Sequence, residues 1–137
     1  MNQNINHILL VDDEEDSIFI TKKLIQSVYP NMIISSFQNP LKAIEYLELN
    51  AKNTEILPDL VLLDLNMPLM NGWMFLESYN IIKEDFKKEI TLYLLTSSVF
   101  DGDIKRSHSF PVVSYYLQKP IDMEIFQKLI SKELLVS

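Results

Sequence analysis

The chain has no cysteine and only two glycines among its 137 residues. Without cysteine there is neither a disulfide framework nor a thiolate metal site. Two glycines also exclude a glycine-rich phosphate cradle: neither G-x-x-x-x-G-K nor G-x-G-x-x-G occurs. Basic residues are scarce, 12 against 19 acidic, for a net charge of −7. Nucleic-acid binding needs clustered Lys and Arg, so nucleic acid is not an expected partner. No apolar run approaches the ~20 residues of a membrane span, and the first six residues are short and polar. A cytoplasmic protein that engages no membrane is expected. Neither histidine, His7 nor His108, has a partner His or Cys at ligand spacing, so both are expected to be structural or surface residues. What remains is ordinary globular composition, 47% hydrophobic and 23% charged. At this length a single domain spanning 1–137 is expected, burying roughly two-thirds of its unfolded surface.

The apolar pattern alternates short and long periods. Continuous runs at 7–11, 60–63 and 90–95 have the character of strands buried on both faces of a parallel sheet. Two further strands are expected at 32–37 and 112–117, the first with Ser35 and Ser36 marking a sheet edge. Between them lie helical segments. One runs over 14–28, burying Ile18, Leu24, Ile25 and Val28. A second is capped by Asn39 with Pro40 at its first position, and Ala43, Ile44, Leu47 and Ala51 recur along it. A third follows Gly72, carries Phe75, Leu76, Tyr79 and Ile82, and ends in a charged, solvated stretch at 83–88. A short fourth is expected from Asp101 to about His108. The last is capped by Asp122 and buries Ile125, Phe126, Leu129, Ile130 and Leu134. Met67, Met70 and Met74 are expected to pack rather than to hold a cofactor. Alternating strands and helices define an α/β, doubly wound sheet.

The stretch from Pro58 to Gly72 organises the rest. An apolar run ends on a carboxylate only where that carboxylate has left the core, so Asp64 belongs at the carboxyl edge of the sheet, where open α/β sheets place their chemistry. Met67-Pro68 then turns the chain, and Asn71-Gly72 opens the next helix. Asp12-Asp13 ends the first strand in the same way. On its own that pair reads as a cap against the helix dipole; beside Asp64 it reads as a cation site.

Val11-Asp12-Asp13, then Asp64-Leu65-Asn66-Met67-Pro68 with Gly72, then Thr96, then Lys119-Pro120 form one ordered set of strand ends. In that set the chain resembles the receiver domain of two-component response regulators, over its whole length. The resemblance implies a flavodoxin-like fold with five parallel strands in the order 2-1-3-4-5. It makes Asp64 the acceptor of a phosphoryl group from a sensor histidine kinase or a histidine phosphotransfer protein. Thr96 and Lys119 would contact the phosphoryl oxygens. Asp13, Asp64 and the Asn66 carbonyl would hold a metal, with Asp12 acting directly or through water. Hard oxygen ligands of this kind suit Mg²⁺. Tyr116, three residues before Lys119, matches the family's switch aromatic, paired with Thr96, and the Lys119-Pro120 bond matches one that is cis in the family.

The chain departs from the family in one place: Phe110-Pro111-Val112-Val113-Ser114 stands where receivers commonly carry a small-residue segment. Ser98 and Asn66 occupy the positions that tune dephosphorylation in the family. Two alternatives remain. A haloacid-dehalogenase-like phosphohydrolase also uses a strand-end Asp with Thr and Lys, but needs an acid where Asn66 stands. A receiver-like interaction module that is never phosphorylated would not need the full set. The chain is expected to catalyse only its own phosphotransfer and dephosphorylation, to carry no effector domain, and to act on a downstream protein that the sequence does not name.

Overall fold

Which residues can leave water on both faces decides which strands lie in the middle of the sheet. The computed structural model describes residues 5–65, 72–96, 105–106 and 109–136, with side chains placed through 131. Its elements are β1 (His7–Val11), α1 (Glu15–Val28), β2 (Ile33–Phe37), α2 (Pro40–Leu49), β3 (Leu60–Asp64), α3 (Gly72–Ile82), a 3₁₀ turn (Lys83–Asp85), β4 (Thr91–Thr96), β5 (Val113–Gln118) and α4 (Met123–Val136). Every residue of β3 and β4 is buried, and so is β1 after His7. All five strands pair in parallel in the order β2-β1-β3-β4-β5. The fold class and strand order expected from the sequence are those observed.

Successive strand residues point to opposite faces, so each central strand feeds two cores. On one face Leu9, Val11, Leu63 and Leu94 meet Ala43 and Leu47 of α2 and Phe75, Leu76 and Tyr79 of α3. On the other, Ile8, Leu10, Leu62 and Tyr93 meet Ile25 of α1 and Phe126 and Ile130 of α4. Each fully buried Leu, Ile or Phe contributes about 1.5–3 kcal/mol of transfer free energy. The expected caps form: Asn39 Oδ1 accepts from Leu41 N–H at 2.9 Å with Pro40 at the first helical position. Asp122 Oδ1 accepts from the N–H groups of Glu124 at 3.0 Å and Ile125 at 3.3 Å.

Several expectations are corrected. Ile125 is 43% exposed, because the buried face of α4 is centred on Phe126 and Ile130, four residues apart, and Ile125 is rotated about 100° from it. Ile18, Leu24 and Val28 are half-buried, and Thr21 joins Ile25 as a buried residue of α1. Ala51 is buried, but it follows the end of α2, in a turn after Asn50. β2, β4 and β5 each begin one residue later than the apolar runs suggest. Of the short helix expected at 101–108, residues 105 and 106 are helical. The rest lies outside the described residues, as do Asn66, Met67, Pro68, Met70, Asn71 and Ser98; the side chain of Leu134 is not among those placed.

The charged stretch at 83–88 is not simply solvated. Lys88 Nζ reaches back to Asp59 Oδ1 at 2.8 Å and to the carbonyls of Leu57 at 2.8 Å and Thr54 at 3.1 Å. Buried Asp59 uses its other oxygen, Oδ2, to accept the N–H groups of Asn6 at 2.8 Å and His7 at 3.1 Å. This latch ties the start of β1 to the approaches of β3 and β4 at the edge of the sheet opposite Asp64. His7 lies within it, its Nε2 2.7 Å from Ser35 Oγ of β2.

Burial lowers the His7 pKa below 6.5, and nearby Lys88 adds to the effect, outweighing Asp59 and the Leu57 backbone. A folded pKa below the unfolded one means that the native state resists protonation. The contribution to stability is therefore complete above pH 6.5 and is lost as pH falls through 6.5 toward the folded value. Denaturant midpoints at about pH 8 and about pH 5.5 should accordingly fall further for the wild type than for His7→Gln. Equal losses in the two proteins would remove His7 as the cause.

Candidate functional site

At the carboxyl edge of the sheet the hydrogen-bond ladder continues one residue beyond the strands. Asp12 N–H donates to Phe37 O at 3.1 Å, Leu65 N–H to Leu95 O at 2.7 Å, and Lys119 N–H to Thr96 O at 2.7 Å. The backbones of Asp12, Asp64, Thr96 and Lys119 are thereby lined up along one edge. Asp12, Asp13 and Asp64 each present a carboxylate oxygen, and these oxygens all lie within 4.8 Å of one another. Asp12, Asp64 and Thr96 are buried, while Asp13 and Lys119 are half-buried.

Three carboxylates this close repel unless a cation sits among them. Here Lys119 supplies one: its Nζ lies 2.8 Å from Asp12 Oδ2 and 3.3 Å from Asp64 Oδ2. Burial alone would raise the Asp12 pKa, but Lys119, the Ser17 hydroxyl and the Glu14 N–H together hold it below the ordinary aspartate value. Burial would likewise lower the Lys119 pKa, and the two carboxylates instead keep it above that of a free lysine. One ammonium against three carboxylates still leaves two negative charges for a cation from solution.

Asp12 uses both of its carboxylate oxygens. Its Oδ1 accepts from Glu14 N–H at 2.9 Å, which holds the entrance of α1. Its Oδ2 accepts from Ser17 Oγ at 2.7 Å and from Lys119. The peptide bond between Lys119 and Pro120 is cis, as the resemblance implies.

Gly72 sets the distance between α3 and the Asp64 strand end. Its N–H donates to Leu65 O at 2.9 Å, and a Cβ here would stand 2.7 Å from Leu65 Cα and 3.2 Å from Asp64 O. Only glycine lets the helix start against the backbone of the Asp64 strand. Beside the site, a groove of about 330 Å³ runs between α1 and the turn after β5, lined by Ser17, Ile20, Leu24, Lys119, Pro120 and Ile121 among others.

Tyr116 pairs with Leu94 of β4 and packs against the core beneath α2 and α3, with its hydroxyl oxygen shielded from solvent. The ring lies on the opposite face of the sheet from α4. Its neighbour Tyr115 is the one toward α4, 45% exposed and edge-on to Tyr93 at 6.4 Å. The departure from the family before β5 also has a structural role. Phe110 stacks on Trp73 with ring centroids 6.0 Å apart, and the Arg106 guanidinium lies 4.7 Å from the Trp73 ring centroid.

The structure thus brings together Asp12, Asp13, Asp64 and Lys119 and sets Thr96 on the same edge. Asn66 falls outside the described residues. Sequence reasoning missed Ser17, whose five-residue spacing from Asp12 means nothing until the first turn of α1 is placed.

The response regulator receiver domain model matches residues 8–131, and the chain belongs to that family. A probable methanogenesis regulatory protein, FilR2 of Methanothrix harundinacea, is 28% identical over 125 residues, covering 91% of this chain and 79% of its own length. A two-component response regulator from Cytophaga hutchinsonii has a solved structure that superposes with a TM-score of 0.84 at 28% identity, covering 97% of this chain and 99% of that one. A response regulator receiver protein from Dyadobacter fermentans superposes at 0.81 with 26% identity, covering 93% and 96%. Family membership decides against the phosphohydrolase alternative.

Proposed function

We propose that this receiver takes a phosphoryl group onto Asp64 from a histidine kinase or histidine phosphotransfer protein, in the presence of Mg²⁺, and so switches a protein-binding surface. The observation that carries the proposal is the convergence of Asp12, Asp13 and Asp64 at one sheet edge, with the Lys119 ammonium against Asp12 and Asp64. The donor set fits the metal, being all carboxylate oxygen with two negative charges uncompensated; Asp13 and Asp64 would hold it, with Asp12 beside them and the Asn66 carbonyl as the further ligand. Bound there, Mg²⁺ supplies charge neutralisation for phosphoryl oxygens.

The chain's own residues do the rest. Attacking as a carboxylate, Asp64 needs no general base. One of its oxygens forms the new bond to phosphorus as the phosphorus–nitrogen bond to the donor imidazole breaks, and the electron pair stays on that nitrogen. Lys119 exchanges carboxylate partners for a phosphoryl oxygen, and Thr96 donates its hydroxyl to another. Positioning and charge are the main contributions, as in phosphoryl transfer generally. The groove along α1, open beside Lys119, gives a donor protein room to approach. The chain acts on no separate substrate and turns over only its own phosphoryl group, and the cytoplasmic location expected from composition suits such a partner. The target is another protein, not nucleic acid or membrane; among the described residues no helix is long and apolar enough to cross a membrane.

Incubation with Mg²⁺ and acetyl phosphate should add one phosphoryl group, and Asp64→Asn should abolish it, because an amide is neither nucleophile nor good Mg²⁺ ligand. Intact-mass spectrometry decides the matter. Full labelling of Asp64→Asn would remove the acceptor assignment, and no labelling of the wild type would favour the interaction module that is never phosphorylated.

Readout passes through Thr96 and Tyr116, two residues apart in register across β4 and β5. Thr96 drawn toward the phosphoryl group alters the space beside Tyr116 and shifts an existing equilibrium at the face that includes β5 and α4. Moving such an equilibrium from 1:99 to 99:1 takes about 5.5 kcal/mol, within reach of a few charge-assisted hydrogen bonds. Tyr116→Ala should therefore remain phosphorylatable while losing the change in hydrogen exchange that phosphorylation produces across 105–118 in the wild type. An unchanged exchange response would make Tyr116 a packing residue only.

A further inference from the structure

Ser17 is the one side chain of α1 that reaches into the acidic cluster among the described residues. Its hydroxyl donates to Asp12 Oδ2 at 2.7 Å, the oxygen that also accepts from Lys119 at 2.8 Å. Asp12 is 4% exposed, so solvent cannot replace either donor at little cost. Its other oxygen is tied to the Glu14 N–H. The torsion that turns an aspartate carboxyl about its Cβ–Cγ bond has a broad minimum, and a backbone bond to Oδ1 with a long, flexible lysine on Oδ2 still leaves the carboxyl freedom to turn. The Ser17 bond closes that freedom. It comes from the first turn of α1, where a serine is short enough to reach back to the strand end and small enough to leave the groove beside Lys119 open.

We propose that Ser17 is a positioning residue of the cation site, its hydroxyl holding Asp12 turned toward Lys119 and thereby arranging the carboxylates for Mg²⁺. The proposal rests on the Mg²⁺ reading of the cluster. Partners that orient a metal-site carboxylate are worth 10–100-fold in metal affinity when removed. Ser17 touches the site through Asp12, while Asp13 and Asp64 do not depend on it. Its loss should therefore weaken cation binding without dismantling the cluster.

The test is calorimetric titration of the full chain with Mg²⁺, without any phosphodonor, on the wild type, Ser17→Ala and Ser17→Thr. Thermal melts in chelator accompany each titration. Ser17→Ala should bind Mg²⁺ about tenfold more weakly and melt somewhat lower in chelator, because buried Asp12 loses a donor, while Ser17→Thr should stay close to the wild type in both because it keeps a hydroxyl. Equal affinities in wild type and Ser17→Ala would overturn the proposal while leaving the cation site intact. So would equal losses in the alanine and threonine variants, which would assign the effect to helix packing rather than to the hydroxyl. A wild type that takes up no Mg²⁺ would overturn the cation reading itself.

Discussion

The half-buried ammonium of Lys119 holds together what three carboxylates would push apart. Asp12, Asp13 and Asp64 meet because two parallel strands, β1 and β3, end side by side, and their oxygens come within 4.8 Å. Without a cation each would raise the others' pKa and oppose folding. With Lys119 at 2.8 Å from Asp12 and 3.3 Å from Asp64, the site is partly neutralised within the protein itself. Removing one member of a buried, hydrogen-bonded ion pair costs about 3–5 kcal/mol because the remaining charge is stranded. Fold stability and site chemistry therefore share the same lysine.

The rest of the architecture keeps that edge in place. Two cores, one on each face, bury the central strands completely and leave them little freedom to slide. Register then carries strand ends to the edge with the accuracy of a backbone hydrogen bond, one rung beyond each strand. Gly72 brings α3 against Leu65, and the stack of Phe110 on Trp73 ties the chain before β5 to the same helix. At the opposite edge the Asp59–Lys88 latch closes the approaches to β1, β3 and β4. The chemistry and the structural charge pair thus occupy opposite ends of the sheet.

Much of this was legible in the residues because parallel strands buried on both faces write themselves as unbroken apolar runs. A polar residue ending such a run marks the edge, and Asp12, Asp64 and Thr96 all do so. Strand order and the roles of individual residues came from resemblance to a family, not from periodicity. Lys88 was misread because its partners, Leu57 and Thr54, lie 31 and 34 residues away, and no local pattern encodes such a contact. Ile125 was misread because an apolar residue adjacent to Phe126 looks like core until the helix face is fixed. The environment of Tyr116 depended on which side of β5 faces α4, a parity that a short strand does not declare.

The central claim is that the acidic edge is a cation site whose place Lys119 partly holds in the metal-free protein. Its most direct test is a calorimetric Mg²⁺ titration of Lys119→Met against the wild type near neutral pH. Removing a positive charge a few ångströms from the carboxylates should tighten Mg²⁺ binding by at least about tenfold, with lower stability in chelator. Mg²⁺ affinity that is unchanged or weaker in Lys119→Met would contradict the account.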